Sequence, residues 1–164
     1  MTGLVTVFGS GAMTNSVKEI RDARCIFSIG SNTTTAHPIV WLEIRKALRK
    51  GAKLIVANPR EIDLVRFADL WLRPKPGTNV ALLMGMMRVI VDEGLVDSAF
   101  IDQRCENFDA FRESLNNFDL DFVERVTGVP RQQVVEAARI YATNAPATIL
   151  YAMGITQHSH GNDN

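Results

Sequence analysis

The chain has 164 residues, enough for one domain with a real core, and its 46% hydrophobic and 22% charged content is that of a globular protein rather than a disordered or fibrous one. Its 18 basic and 18 acidic residues cancel, which excludes the basic surplus of a nucleic-acid binder and any strong attraction to an acidic membrane face.

Residues 4–8 are predicted as a strand, followed by the turn Gly9-Ser10-Gly11 and a short helix over about 15–23. Cys25–Ile29 is a second strand, apolar almost throughout as a buried parallel strand should be. After a polar loop, Pro38 suits the first turn of a helix, where its missing N–H would be unpaired anyway. That helix sets Val40, Ile44, Ala47 and Leu48 on one stripe, carries Lys46, Arg49 and Lys50 in its last turn and ends at Gly51. Lys53–Ala57 is the next strand, and a short helix over 62–68 leads to a brief strand at Leu70–Leu72. Pro74-Lys75-Pro76-Gly77 breaks the chain, and Thr78 or Asn79 caps the helix that follows. In that helix Val80, Leu83, Met84, Met87 and Val91 share one face, while Leu82, Met86 and Ile90 cover the other. A helix apolar nearly all round is a buried one.

Residues 97–143 read as a helical excursion in short pieces, the last with Val134, Ala137, Ala138 and Tyr141 on its stripe. A final strand is expected at 148–152, ended by Met153-Gly154. Repeated strand–helix–strand units imply an α/β fold, a doubly wound, mostly parallel, Rossmann-like sheet within a single domain over 1–164. The longest apolar stretch, 80–91, contains Arg88 and falls short of the ~20 residues of a spanning helix, so no membrane insertion is expected. Cys25 and Cys105 show neither CxxC nor metal spacing and are expected as buried or half-buried reduced thiols. With no signal peptide in the first residues, that usage suits the cytoplasm.

In open parallel sheets ligands bind beyond the carboxyl ends of the strands, and four predicted strand ends carry informative residues. Gly9-Ser10-Gly11 invites a nicotinamide dinucleotide reading, but Thr14 stands at the third glycine position and Ile29-Gly30-Ser31-Asn32 lacks the ribose-binding acid. Gly30-Ser31-Asn32 with His37 offers close backbone approach plus hydroxyl and amide groups for phosphate oxygens; a helix cap is the bland alternative. Asn58-Pro59-Arg60 offers a polar group for a ribose or base edge and an arginine for phosphate, against simple turn chemistry with a surface ion pair. The stretch from Met153 to Asn164 is polar and punctuated by glycine. His158 and His160 have no evident third ligand, so no metal site is assigned. No nucleophile elbow, P-loop or HExxH is present, and no catalytic residue is assigned.

Taken together, these ends resemble the large subunit of molybdenum- or tungsten-dependent formate dehydrogenases. The resemblance rests on the stretch from Phe8 to Asn15, on Gly30-Ser31-Asn32 with His37-Pro38, and on the run from Gly51 to Arg60. It continues through Ala68-Asp69, the run from Pro76 to Leu83, the run from Glu93 to Asp97, Thr127-Gly128-Val129 and the run from Met153 to His158. One departure is Asn58, where the family usually has Asp before Pro-Arg.

The resemblance implies a domain cradling part of a bis-molybdopterin guanine dinucleotide that carries molybdenum or tungsten. It places Gly30, Ser31, Asn32 and His37 along the nucleotide diphosphate. Asn58, Pro59 and Arg60 would hold a guanosine, with Gly77, Thr78 and Asn79 beside it. Met153, Gly154 and Gln157 would touch the other side of the cofactor. The implied parent reaction is the two-electron oxidation of formate to carbon dioxide, or its reverse. An iron–sulfur cluster, the metal-ligating cysteine or selenocysteine and a later arginine would lie in segments outside this chain, which is expected to be an internal piece inactive by itself. The remaining segments and electron-transfer subunits would be its partners.

Two other readings compete. A structural Rossmann-like domain of a respiratory NADH dehydrogenase iron–sulfur subunit would bind no pterin and predicts eroded strand ends, contrary to the intact Ser31-Asn32, Pro59-Arg60 and Gly77-Thr78-Asn79. A free-standing nucleotide-binding regulator would require a complete domain, whereas the last strand here runs into an unfinished loop.

Overall fold

The near-continuous apolar run of β1 (Cys25–Ile29) has a direct cause: the strand has neighbours on both sides and helices on both faces. In the computed structural model, which describes residues 2–9, 11, 13, 15–159 and 161, β1 pairs in parallel with β2 (Lys53–Ala57) and with β4 (Ala147–Tyr151). β3 (Leu70–Leu72) lies outside β2, giving the parallel order β3-β2-β1-β4. Cys25 aligns with Lys53 and Ala147, and Ile29 with Ala57 and Tyr151. The first three of these strands have the predicted bounds, and the last begins one residue early.

The chain moves from β1 to β2 to β3 in one direction and then crosses back to the other side of β1. Right-handed crossovers therefore require its two connecting layers to lie on opposite faces. α3 (Pro38–Arg49) and the 3-10 turn Val17–Asp22 cover one face, burying Ile20, Ile44 and Ala47 with Ile26, Leu54 and Val56. The return passes through α4 (Asn79–Asp92), α5 (Ser98–Arg104), α6 (Phe108–Ser114), α7 (Leu120–Thr127) and α8 (Arg131–Thr143). On that second face Leu82, Met86, Val89, Val123, Val134, Ala137 and Ala138 pack with Phe27, Ile29 and Ile55. This is the doubly wound α/β arrangement expected, with the helical excursion in its predicted place. No helix among the described residues is long and apolar enough to cross a membrane.

Several expectations need correction. Residues 4–8 belong to α1 (Thr2–Phe8), not to a strand; Gly9 N–H still bonds to Val5 O (2.9 Å) and Gly9, at φ +72°, follows the helix. A five-residue apolar run cannot distinguish the two periods, and a segment outside the sheet meets its backbone bonds within itself. The short helices expected over 15–23 and 62–68 are shorter 3-10 segments, Val17–Asp22 and Asp63–Phe67.

Residues 80–91 contain no fully exposed position, but the deepest face of α4 is Leu82, Met86 and Val89, not the stripe beginning at Val80. Gly85 lies on that face and lets α7 come close through Val123, drawing this side inward. Thr78 occupies the N-cap position, yet its hydroxyl donates to Lys75 O (2.7 Å) instead of accepting from the helix. Cys25 is buried as expected; Cys105 is exposed, because it follows α5, a short helix with no buried residue. The expectations placed on Ser10, Ala12, Thr14, His160, Asn162, Asp163 and Asn164 lie outside the described residues.

Candidate functional site

A strand order that reverses direction leaves a crevice where the two connections leave on opposite faces, and here that switch point lies between β1 and β4. Backbone hydrogen bonding continues past the strands along this rim, one residue beyond β1 and β2 and three beyond β4. Gly30 N–H donates to Ala57 O (3.1 Å), Asn58 N–H to Leu72 O (3.0 Å) and Gly154 N–H to Gly30 O (3.0 Å). The ends of β1, β2 and β4 are thus joined into one edge, and Gly30, Asn58 and Gly154 occupy it side by side.

Sequence reasoning selected Gly30 for close approach to a ligand, whereas in the fold its nearest constraint is Gly154. A Cβ on Gly30, which sits at φ +59°, would lie 2.6 Å from the Gly154 carbonyl carbon, and one on Gly154 would lie 2.6 Å from Gly30 O. Two backbones cross here at a distance that only paired glycines permit.

After β1, Ser31 is buried and Asn32 turns inward on its own loop, its Oδ1 accepting from the Thr34 hydroxyl (2.9 Å). Among the described residues, the hydroxyl of Thr33, 2% exposed, has no partner, and neither has that of Ser28 within the strand at 1%. His37 is exposed between α2 (Thr33–Ala36) and α3, and its backbone serves both helices, accepting from Trp41 N–H (3.0 Å) and donating to Thr33 O (3.1 Å).

After β2, Asn58 Oδ1 accepts from Arg60 N–H (3.0 Å), the simple turn chemistry that was the alternative to a ligand contact there. The ion pair that accompanied it is absent: among the described residues the Arg60 guanidinium has no partner, while Pro59 and Arg60 are both exposed. An Asx turn needs only a side-chain oxygen, so asparagine replaces aspartate here without changing the backbone, and it substitutes an amide donor for a charge.

Gly77, Thr78 and Asn79 open α4 beyond β3; Gly77 is exposed and Asn79 is 8% exposed with no side-chain bond among the described residues. No hydrogen bond among the described residues ties this group to Gly30–Asn32 or to Asn58–Arg60. After β4, Met153 is exposed, Gln157 N–H donates to Met153 O (2.9 Å), and His158 Nε2 donates to Gly154 O (2.7 Å).

Two further basic groups, Arg73 and Lys75, follow β3. Arg73 and Lys75 are anchored on carbonyls, Nε of Arg73 on Pro59 O (3.1 Å) and Nζ of Lys75 on Arg125 O (3.3 Å). The opposite end of β1 is chemically quiet: burial, with a smaller contribution from Asp69, pushes the Cys25 thiol up to about 11. A cleft of about 340 Å³ lined by Arg88, Asp92, Arg112 and Glu113, and another of about 460 Å³ beside Val135 and Ile140, both lie in the helical layer away from the rim.

A family model described as molybdopterin oxidoreductase matches residues 5–164. The chain belongs to the molybdopterin oxidoreductase family. Over 163 residues it is 42% identical to the F420-dependent formate dehydrogenase subunit alpha of Methanocaldococcus jannaschii, covering 99% of this chain and 24% of that protein. It is 40% identical over 161 residues to formate dehydrogenase H of Escherichia coli, covering 98% of this chain and 22% of that one. Among solved structures, acetylene hydratase from Pelobacter acetylenicus superposes with a TM-score of 0.82 at 31% identity, covering 90% of this chain and 22% of that chain. The chain therefore spans about a quarter of the length of the relatives it matches. A hydratase and dehydrogenases share this molybdopterin oxidoreductase architecture, so the fold alone does not select the reaction.

Trp71, Arg73 and the buried hydroxyl of Ser28 also belong to or border the rim and were not singled out from the sequence. The one available signal was the two-residue spacing of Trp71 and Arg73, which puts both on the same side of an extended chain.

Proposed function

We propose that this chain is the portion of a formate dehydrogenase alpha-type subunit that grips the guanosine diphosphate end of a molybdopterin guanine dinucleotide. The observation that carries the reading is the set of polar groups left uncommitted, among the described residues, just after the strand ends: the Arg60 guanidinium, the Asn58 amide nitrogen, the Asn79 amide and the Gln157 side chain. These groups fit the ligand. A diphosphate takes donors, best supplied bidentately by an arginine, and a guanine edge takes and gives hydrogen bonds as a carboxamide does.

In this reading Gly30, Ser31, Asn32 and His37 line the diphosphate. Asn58, Pro59 and Arg60 hold the guanosine, the Arg60 guanidinium also reaching its phosphate, with Gly77, Thr78 and Asn79 beside it, and Met153, Gly154 and Gln157 close the other side. The bound molybdenum or tungsten pterin supplies the two-electron chemistry that interconverts formate and carbon dioxide. The residues here bind and orient it, within one domain over 1–164. Iron–sulfur and electron-transfer partners belong to other segments and subunits, and the reduced thiols suit a cytoplasmic site. The named formate dehydrogenase relatives, together with the uncommitted rim, favour this reading over a pterin-free structural domain of a respiratory complex.

The test is calorimetric titration of the 164-residue chain with GDP. Binding is expected, and Arg60→Ala should weaken it by about tenfold or more, the loss of a charge-assisted phosphate contact. A wild-type chain that gives no heat with GDP would overturn the reading.

A further inference from the structure

The turn at the end of β2 is held from outside by its neighbour on the sheet. Trp71 and Arg73 stand two residues apart at the end of edge strand β3. Trp71 Nε1 donates to Asn58 O (2.9 Å), and Arg73 Nε donates to the next carbonyl, Pro59 O (3.1 Å). The Arg73 guanidinium carbon lies 5.6 Å from the centre of the Trp71 ring, so each side chain also fixes the other. With Asn58 N–H on Leu72 O and Arg60 N–H on Asn58 Oδ1, both N–H groups of the turn and its first two carbonyls are bonded within the protein. The side-chain groups that remain to meet a ligand are the Arg60 guanidinium and the Asn58 amide nitrogen.

Pairing of β3 with β2 requires none of this, since a strand hydrogen-bonds through its backbone. An indole and a guanidinium aimed at two successive carbonyls of a loop do something else: they remove the loop's freedom before anything binds. We infer that Trp71 and Arg73 are positioning residues, a brace that presets the Asn58–Arg60 turn so that Arg60 meets a nucleotide phosphate without an ordering cost. The inference rests on the nucleotide-binding reading above and adds to it two residues that touch the turn, not the ligand.

Two variants separate bracing from its rivals. Trp71→Phe keeps the ring and removes the donor. Arg73→Lys keeps the positive charge and removes the planar donor that reaches Pro59 O. With GDP as probe, well below the melting temperature, each is expected to weaken binding about fivefold, the effect of one hydrogen bond. Wild-type affinity in both variants would overturn the brace while leaving the nucleotide site standing, as would wild-type affinity in Arg73→Lys alone, since charge would then suffice. Absence of GDP binding by the wild-type chain would remove the site and the brace together. A measurement on the unmodified chain guards against misfolded variants: the Trp71 indole N–H should exchange with solvent far more slowly than a free indole, and more slowly again with GDP present. Exchange at the free rate would end the proposal.

Discussion

Gly30 with Gly154, and Gly85 with Val123, are both close approaches that glycine makes possible, and they differ in what stands in the way. At the rim, Gly30 and Gly154 face backbone with backbone, and an added Cβ would meet carbonyl and amide atoms at 2.6 to 2.8 Å. In the helical layer, Gly85 of α4 faces the methyl groups of Val123, where an added Cβ would lie 2.8 Å and 3.0 Å from side-chain carbons. Backbone held by a parallel ladder cannot retreat, whereas a valine can shift or be trimmed. The rim is therefore the rigid junction and the helix contact the adjustable one.

The largest test of that contrast is Gly30→Ala. It combines positive φ with a collision that nothing can relieve, and is expected to cost about 3 kcal/mol or more in chemical denaturation. Labelling of Cys25, buried at the far end of the same strand, should stay negligible below the unfolding transition while exposed Cys105 reacts. Rapid Cys25 labelling would show that damage at the rim travels the length of β1.

Gly85→Ala should be milder, about 1–3 kcal/mol. Combined with Val123→Ala it should cost less than the sum of the single changes by about 1 kcal/mol, because the smaller side chain makes room for the added methyl. Strict additivity would mean the two residues do not meet as described.

The smallest effect is expected at a third junction, an ionic one on the opposite face. There the buried Glu43 carboxylate accepts from Arg21 Nε (2.5 Å) and Lys46 Nζ (2.8 Å), tying the turn before β1 to α3. Those two bonds, Arg21 first, hold the Glu43 carboxyl at about 2 against an ordinary 4.5. A depressed carboxyl pKa stabilises the fold above the unfolded value, and that contribution fades as pH falls from about 4.5 toward 2. Glu43→Gln should lower the urea midpoint at neutral pH and flatten its fall across that acid window. An unchanged acid profile would place the sensitivity elsewhere.

The sheet was legible because its signal is local. Cys25–Ile29 and Lys53–Ala57 are runs that only a strand covered on both faces would tolerate, and the polar loops after them mark the strand ends. α1 was misread because Val5-Thr6-Val7 favours a strand in isolation and nothing local says that no partner is available. The buried face of α4 was misjudged because Gly85, the residue that decides it, adds nothing to an apolar stripe and acts only through Val123. At the site, the individual ends at Gly30, Asn58 and Gly154 were recognisable from residue type, but their joining into one edge was not. That union depends on β4 entering beside β1 after the whole helical excursion, and no spacing rule connects Gly30 to Gly154. The brace formed by Trp71 and Arg73 was hidden for the same reason, since indoles and arginines declare their targets only in three dimensions.

The late arrival of β4 has a consequence for how the protein is made. During synthesis β1 emerges early and gains β2 promptly, but its other edge must wait for the helices from α4 to α8 to be translated. Until then the nascent sheet shows an open edge of unpaired backbone groups on a largely apolar strand, the kind of surface that chaperones hold and that strays into aggregation. Because the last contact to form is also the one that completes the rim, Gly30 gains its partner Gly154 only when the sheet is complete.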